Sequence, residues 1–196
     1  RFVRWQGSAA ENIRAQNEKG EMERAEDYLN GHDIEEAAMF LRKAAEDTAR
    51  RYREWAEGKS LPAGQFFSLT ENLRAARNKL IADIPAKLYN NVLKNTPKAH
   101  RTLLISSDES DLDANPTLQP QDKGILKSKR RELRNALTND GWAKMEAVEA
   151  VDRVLEMTER VLNPASHGNT TPLYAEEVRR AKRLIDRLET VLEAYR

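Results

Sequence analysis

The stretch Glu159-Arg160-Val161-Leu162-Asn163-Pro164-Ala165-Ser166-His167-Gly168-Asn169 brings together residue types that metal-free chemistry on a phosphodiester requires. Arg160 offers a planar fork of donors that matches a phosphate. His167 titrates near neutrality and can move protons. Six residues separate the two. Asn163-Pro164 should stop a helix, because a residue before proline avoids helical backbone angles. Arg160 is therefore expected at a helix end and His167 in the turn that follows, an arrangement that can carry both side chains to one phosphate-sized spot. Asn163 and Ser166 would orient the imidazole or bond a substrate. In such a site a base takes the proton of a ribose 2′-hydroxyl, the 2′-oxygen attacks the adjacent phosphorus, and a cation stabilises the developing charge. The same letters also have a plainer reading. Asn-Pro ends helices, Ser-His-Gly-Asn is turn composition, and an arginine near a helix C-terminus meets the dipole favourably.

Elsewhere the chemistry is sparser. The other two histidines, His32 and His100, read as surface residues, one in a turn before a helix and one in an irregular middle segment. No His-x3-His pair or histidine–carboxylate cluster stands at metal-ligand spacing, so neither a metal nor a cofactor is expected. Glycine-rich phosphate loops are absent, and an ATPase working with this chain would lie outside it. A basic cluster, Lys123, Lys127, Lys129, Arg130, Arg131 and Arg134, is opposed only by Glu132. On a helix Lys127, Arg130, Arg131 and Arg134 would share one face. That face is either a phosphate-backbone footprint drawing RNA or DNA toward the turn, or a solvated surface paired with the acidic loop at 108 to 113. No aromatics interleave with it, as base stacking would want. The pairs Tyr52/Trp55 and Phe66/Phe67 read as core.

The composition says what elements must position these groups. The chain has 196 residues, enough for one domain, or one with an appendage. Charged residues make up 33%, against about 25% in an ordinary globular chain. Hydrophobic residues are 39%, so the core should be narrow, one apolar stripe per helix. Glycine and proline are scarce, at 8 and 7, and strong helix formers dominate. A net charge of +1 gives no global signature of nucleic-acid binding. The absence of cysteine excludes disulfides, thiolate nucleophiles and cysteine-ligated zinc or iron–sulfur sites, and fits the cytoplasm. No apolar run approaches the ~18 residues of a membrane span, and no signal peptide is visible. The sequence opens on Arg1 rather than Met, as expected of a piece of a longer protein.

Periodicity predicts an all-α chain. Residues 1–30 read as a helical lead-in from a missing upstream region. The domain proper is 31–196. Asp33, with Glu36 three residues on, should cap a helix from about Asp33 to Ala56, and Gly58 should end it. A second helix starts near Ser68 or Thr70 and meets Pro85. A short helical piece, Ala86 to Leu93, follows. An irregular insertion spans about 94–122, in which Leu103-Leu104-Ile105 is strand-like or a helical turn and Pro116 and Pro120 punctuate an acidic loop. A long helix runs from about Gly124 to Leu162, with Asn139-Asp140-Gly141 as the place where it can split in two. Pro172 stands near the first position of a last helix, with Val178, Ala181, Ile185, Leu188, Leu192 and Tyr195 as its stripe. There is no solenoid repeat. Four to five helices of unequal length suggest an up-and-down bundle.

The Arg160…His167 spacing at a late helix end resembles the HEPN superfamily, helical nucleotide-binding and ribonuclease domains of prokaryotic conflict systems. Its members carry an arginine near the end of one late helix and a histidine shortly after it. Ala38-Met39-Phe40-Leu41-Arg42-Lys43-Ala44-Ala45-Glu46 resembles the opening helix of such domains. Leu162-Asn163-Pro164-Ala165-Ser166-His167, followed by Thr171-Pro172-Leu173-Tyr174 and a charged final helix, resembles the C-terminal tails of bacterial antiphage ATPases of the SMC-like or ABC-like kind. The resemblance covers roughly residues 145 to 196 and, more loosely, 33 to 57. Val161 follows the arginine where many active members carry a polar residue, and here the polar residue is Asn163. The resemblance implies a metal-independent endoribonuclease in an antiphage or toxin system, with RNA as substrate. It also implies a homodimer that sets two Arg/His pairs across one groove. A different class of function is a catalytically inactive helical module that dimerises or docks an ATPase. A third is DNA binding through the basic cluster.

Overall fold

The computed structural model describes residues 19–60, 67–86, 95–106, 112–113, 115–163 and 172–194. Capping residues set the helix boundaries within them. The chain enters through α1 (Glu21–Asn30) and turns at Gly31-His32. His32, not the glycine, takes the left-handed backbone there, with φ 63°. Asp33 then accepts the Glu36 N–H at 3.3 Å and opens α2 (Ile34–Glu57), which ends on left-handed Gly58. Ser68 opens α3 (Leu69–Ala82) with a full capping box, its hydroxyl accepting from Glu71 N–H while the Glu71 carboxylate accepts from Ser68 N–H at 2.7 Å.

The middle of the chain is more helical than its composition suggests. Leu103-Leu104-Ile105 lies within α4 (Lys98–Ser106). Pro120, expected in a loop, is the first residue of α5 (Pro120–Ala136). Its missing N–H costs nothing there and its fixed φ suits a helix. The expected long helix is split, but at Leu137-Thr138. The Thr138 hydroxyl accepts the Gly141 N–H at 3.2 Å, which makes Asn139-Asp140-Gly141 the first turn of α6 (Asn139–Met157) rather than the break. A π-helical turn, Thr158–Leu162, continues α6. The last helix, α7 (Ala175–Glu193), begins three residues beyond Pro172. The expected helix over 86–93 and the acidic segment at 107–111 lie mostly outside the described residues. No strand occurs among the described residues, and the fold is an all-α bundle.

Helices α2, α3, α6 and α7 pack in a ring, α2 against α3 and α7, α6 against the same two. α1 lies along α2 and touches α7, while α4 packs on α5 and α6. Long side chains fix the directions. Arg42, early in α2, reaches Asn163 at the end of α6, while Arg51, late in α2, reaches Glu189 and Glu193, late in α7. Thus α7 runs alongside α2 in the same sense and α6 runs against both. One apolar cluster extends from Ala25 and Leu29 of α1 to Leu192 of α7. The last helix buries Val178, Ala181, Ile185, Leu188 and Leu192 of the predicted stripe, while Tyr195 lies outside the described residues.

Two outcomes test this packing. Leu41 is fully buried in the first half of α2. Leu41→Ala should cost about 2–5 kcal/mol, read as a lower urea midpoint at unchanged slope. Tyr52 is buried against Trp55, and burial, with the Asp83 charge beside it, pushes its phenol from 10.0 up to about 12. The folded state thus holds a proton that the unfolded state releases. This stabilisation is intact below pH 10.0 and is lost as pH rises toward about 12. Tyr52→Phe should flatten that alkaline loss in denaturation curves, and equal loss in both proteins would contradict it.

Candidate functional site

The α6–α7 corner begins with the π turn. Thr158 is buried and its hydroxyl donates to the Val154 carbonyl at 2.9 Å. Val161 and Leu162 are fully buried. The turn therefore anchors two apolar residues in the core and leaves Arg160 and Asn163 on its outer side. π turns inside α-helices recur at functional sites because the extra residue re-aims the side chains around it.

Arg160 keeps 40% of its side chain exposed and is held by Glu177 of α7. Its Nε donates to Glu177 Oε1 at 3.1 Å and its Nη2 to Oε2 at 3.0 Å. The same carboxylate accepts the Tyr174 N–H at 3.3 Å, at the start of α7. The pairing is side-on, so the end-on edge of the guanidinium, Nη1 with the outer hydrogen of Nη2, is not the one Glu177 uses. Asn163 has a different partner. Its Oδ1 accepts from Arg42 Nη1 of α2 at 3.2 Å, while Arg42 Nε donates to Glu46 at 2.8 Å. The corner thus gathers Arg42, Glu46, Arg160, Asn163 and Glu177 from three helices. Ser166 and His167 lie outside the described residues. Sequence reasoning missed Arg42 and Glu177, two charged residues among many on the helices. Only their distant partners, 121 and 17 residues away, give them a role.

The basic cluster on α5 does not form the single face that spacing suggests. Leu126, Arg130 and Leu133 make the buried side of the helix. Arg130 turns inward, donates from Nη1 to the Leu104 carbonyl at 3.0 Å and lies over the Trp142 ring. Arg134 covers the same ring, with its guanidinium 4.3 Å from the centroid. Lys127 pairs with Asp113 at 2.6 Å, and Lys129 bonds the Thr96 hydroxyl at 3.1 Å. Arg131 is exposed. The outward face is therefore Lys127, Arg131 and Arg134. Of the other histidines, His32 is exposed and His100 is half-buried on α4. Among the described residues no three histidine or carboxylate groups gather as a metal site would need.

A second place escaped the sequence entirely. A cleft of about 520 Å³ opens between α3, α4 and α6, lined by Arg74, Arg77, Asn78, Arg101, Asp152, Leu155 and Glu156. Its residues come from segments far apart in the chain, with no local motif to announce them. Comparison with known family models, curated proteins and solved structures finds no match to this chain.

The Arg160–Glu177 pair is partly exposed, and pairs of that kind contribute little. A double-mutant cycle with Arg160→Ala and Glu177→Ala should give a coupling of about 0.5–1 kcal/mol. Chemical denaturation measures it. A coupling near zero would mean that the pair does not hold the corner.

Proposed function

We propose that the chain is a metal-independent endoribonuclease domain acting as a homodimer, with the α6–α7 corner as its reactive part. The observation that carries this reading is Arg160, half-exposed on a π turn and oriented by a side-on carboxylate, seven positions before His167. His167 would take the proton of a ribose 2′-hydroxyl. The 2′-oxygen then bonds to the adjacent phosphorus as the bond to the 5′-oxygen breaks, and the leaving oxygen regains a proton. The products are a 2′,3′-cyclic phosphate and a 5′-hydroxyl. Arg160 would stabilise the negative charge on the phosphoryl oxygens through its end-on edge. Asn163 would keep the turn in register through Arg42, and Ser166 would support the imidazole. Lys127, Arg131 and Arg134 offer an exposed path for the RNA backbone, whereas Arg130 serves α5 packing. The likeness to HEPN domains supports a cytoplasmic antiphage or toxin setting, and an SMC-like or ABC-like ATPase as the module that controls it.

A second reading has its own observation. Both inner donors of Arg160 are taken by Glu177, as in a staple between helices. On that reading the chain is an inactive helical module that dimerises or docks an ATPase.

Expression of wild type, His167→Ala and Arg160→Ala, followed by sequencing of cellular RNA ends, separates the two. Loss of general acid–base catalysis should lower cleavage at least ~100-fold in His167→Ala, with Arg160→Ala similarly weak and chelator without effect on wild type. Undiminished cleavage or toxicity in a folded His167→Ala protein, or an activity that chelator abolishes, would overturn the nuclease reading.

A further inference from the structure

We infer that the α3–α4–α6 cleft is a binding site for a small phosphorylated molecule, separate from the α6–α7 corner. Its charges carry the assignment. Many cations among the described residues face a carboxylate across a helix or along one, but two that line the cleft do not. Arg74 makes no ion pair or hydrogen bond among the described residues, and the contact that fixes Arg101 is a 3.0 Å bond from its Nε to the Thr96 carbonyl, which leaves its charge uncompensated. Two guanidinium groups from two helices on one recess suit the three acceptor oxygens of a phosphate monoester.

The remaining wall chooses between a small ligand and a polymer. Arg77 is bound by Asp152 through two contacts, one of them 3.3 Å, and Glu156 accepts from Arg153 at 3.0 Å. The cleft therefore has a cationic part, Arg74 and Arg101, and a part rich in acceptors, Asp152 and Glu156, with Leu155 and Asn78 completing its lining. A continuous phosphodiester strand carries charge along its whole length and would be repelled by Glu156. A compact molecule with one phosphate and a body bearing hydroxyl or amino donors meets both parts favourably. The volume, about 520 Å³, falls in the range of small-molecule sites, roughly 300–1,000 Å³.

The test is calorimetric titration and thermal shift at constant ionic strength with four probes: inorganic phosphate, a hexose monophosphate, a nucleoside monophosphate and succinate. A short single-stranded RNA is the fifth. Wild type should bind at least one organic phosphate more tightly than inorganic phosphate and ignore succinate. Which organic phosphate wins identifies the body of the ligand. Arg74→Ala and Arg101→Ala should each weaken that binding at least ~10-fold, as loss of a charge-assisted contact does. Arg183→Ala, an exposed arginine on α7, should not. Lack of binding by any phosphate at millimolar concentration, equal binding of succinate, or binding unchanged in both variants would overturn the assignment. So would RNA as the only probe bound. RNA cleavage by the His167 series reads the other site, so either can fail alone.

Discussion

Alanines on α2 set how closely the rest of the bundle approaches. Ala37, Ala38, Ala44, Ala45 and Ala49 are all buried, around larger Leu41 and Tyr52. Small side chains let neighbouring helices come near without leaving voids, and they cost no side-chain entropy when buried. α2 is in consequence the helix that α1, α3, α7 and the π turn all touch. Its two flanks differ. Phe40 leaves the alanine face to stack on Tyr28 of α1, with ring centroids 5.2 Å apart, and Lys43 sits over the same ring. On the far side, Arg42 reaches the end of α6. The position of the candidate corner is thus inherited from α2, because the π turn packs on it.

With so narrow an apolar core, polar contacts carry the choice of register. Arg51 contacts Glu189 and Glu193, Arg77 binds Asp152, and Arg160 binds Glu177. Each pair is partly exposed and worth roughly 0–1 kcal/mol, too little to drive folding. A helix slipped by one turn would break several at once and set like charges together. Near-equal numbers of basic and acidic residues, 33 and 32, make such pairing possible. The basic run on α5 disperses once folded: one of its arginines is needed inside and another over Trp142. Two arginines with no ion pair among the described residues, Arg74 and Arg101, line the α3–α4–α6 cleft, where no run of basic letters pointed.

The fold was legible wherever a local rule governs. Asp33, Ser68 and Gly58 bound their helices because capping depends on a residue and its neighbours three or four positions away. The stripe of α7 was legible because burial on one face imposes a 3.6-residue period. The misread places obey longer-range rules. Pro120 looked like loop punctuation because its letter fits either a turn or a first helical position, and packing of α5 on α4 decides. Asn139-Asp140-Gly141 looked like a break because those residues favour turns, yet Thr138 just before them caps a helix. Arg42, Glu177 and the cleft arginines were invisible for a simpler reason. Their meaning lies in partners on other helices, and sequence spacing carries no information about those.

Coulomb's law bounds what the corner can do alone. A phosphate oxygen on the end-on edge of Arg160 would sit about 4 Å from the positive charge and gain about 4 kcal/mol at an effective dielectric of about 20. The Glu177 carboxylate on the opposite side would then lie about 6–7 Å from that phosphate and take back about 2–3 kcal/mol. The remainder is an attraction of about 1–2 kcal/mol before the phosphate gives up any water, which is too weak to hold a phosphodiester. Glu177 therefore orients Arg160 at the expense of its pull. A corner built this way needs a second cation to bind a phosphate well. A second corner brought in by a two-fold-related protomer would supply one. The electrostatics of the pair thus favour a dimeric site over a monomeric one if RNA is cleaved here, and a staple if it is not.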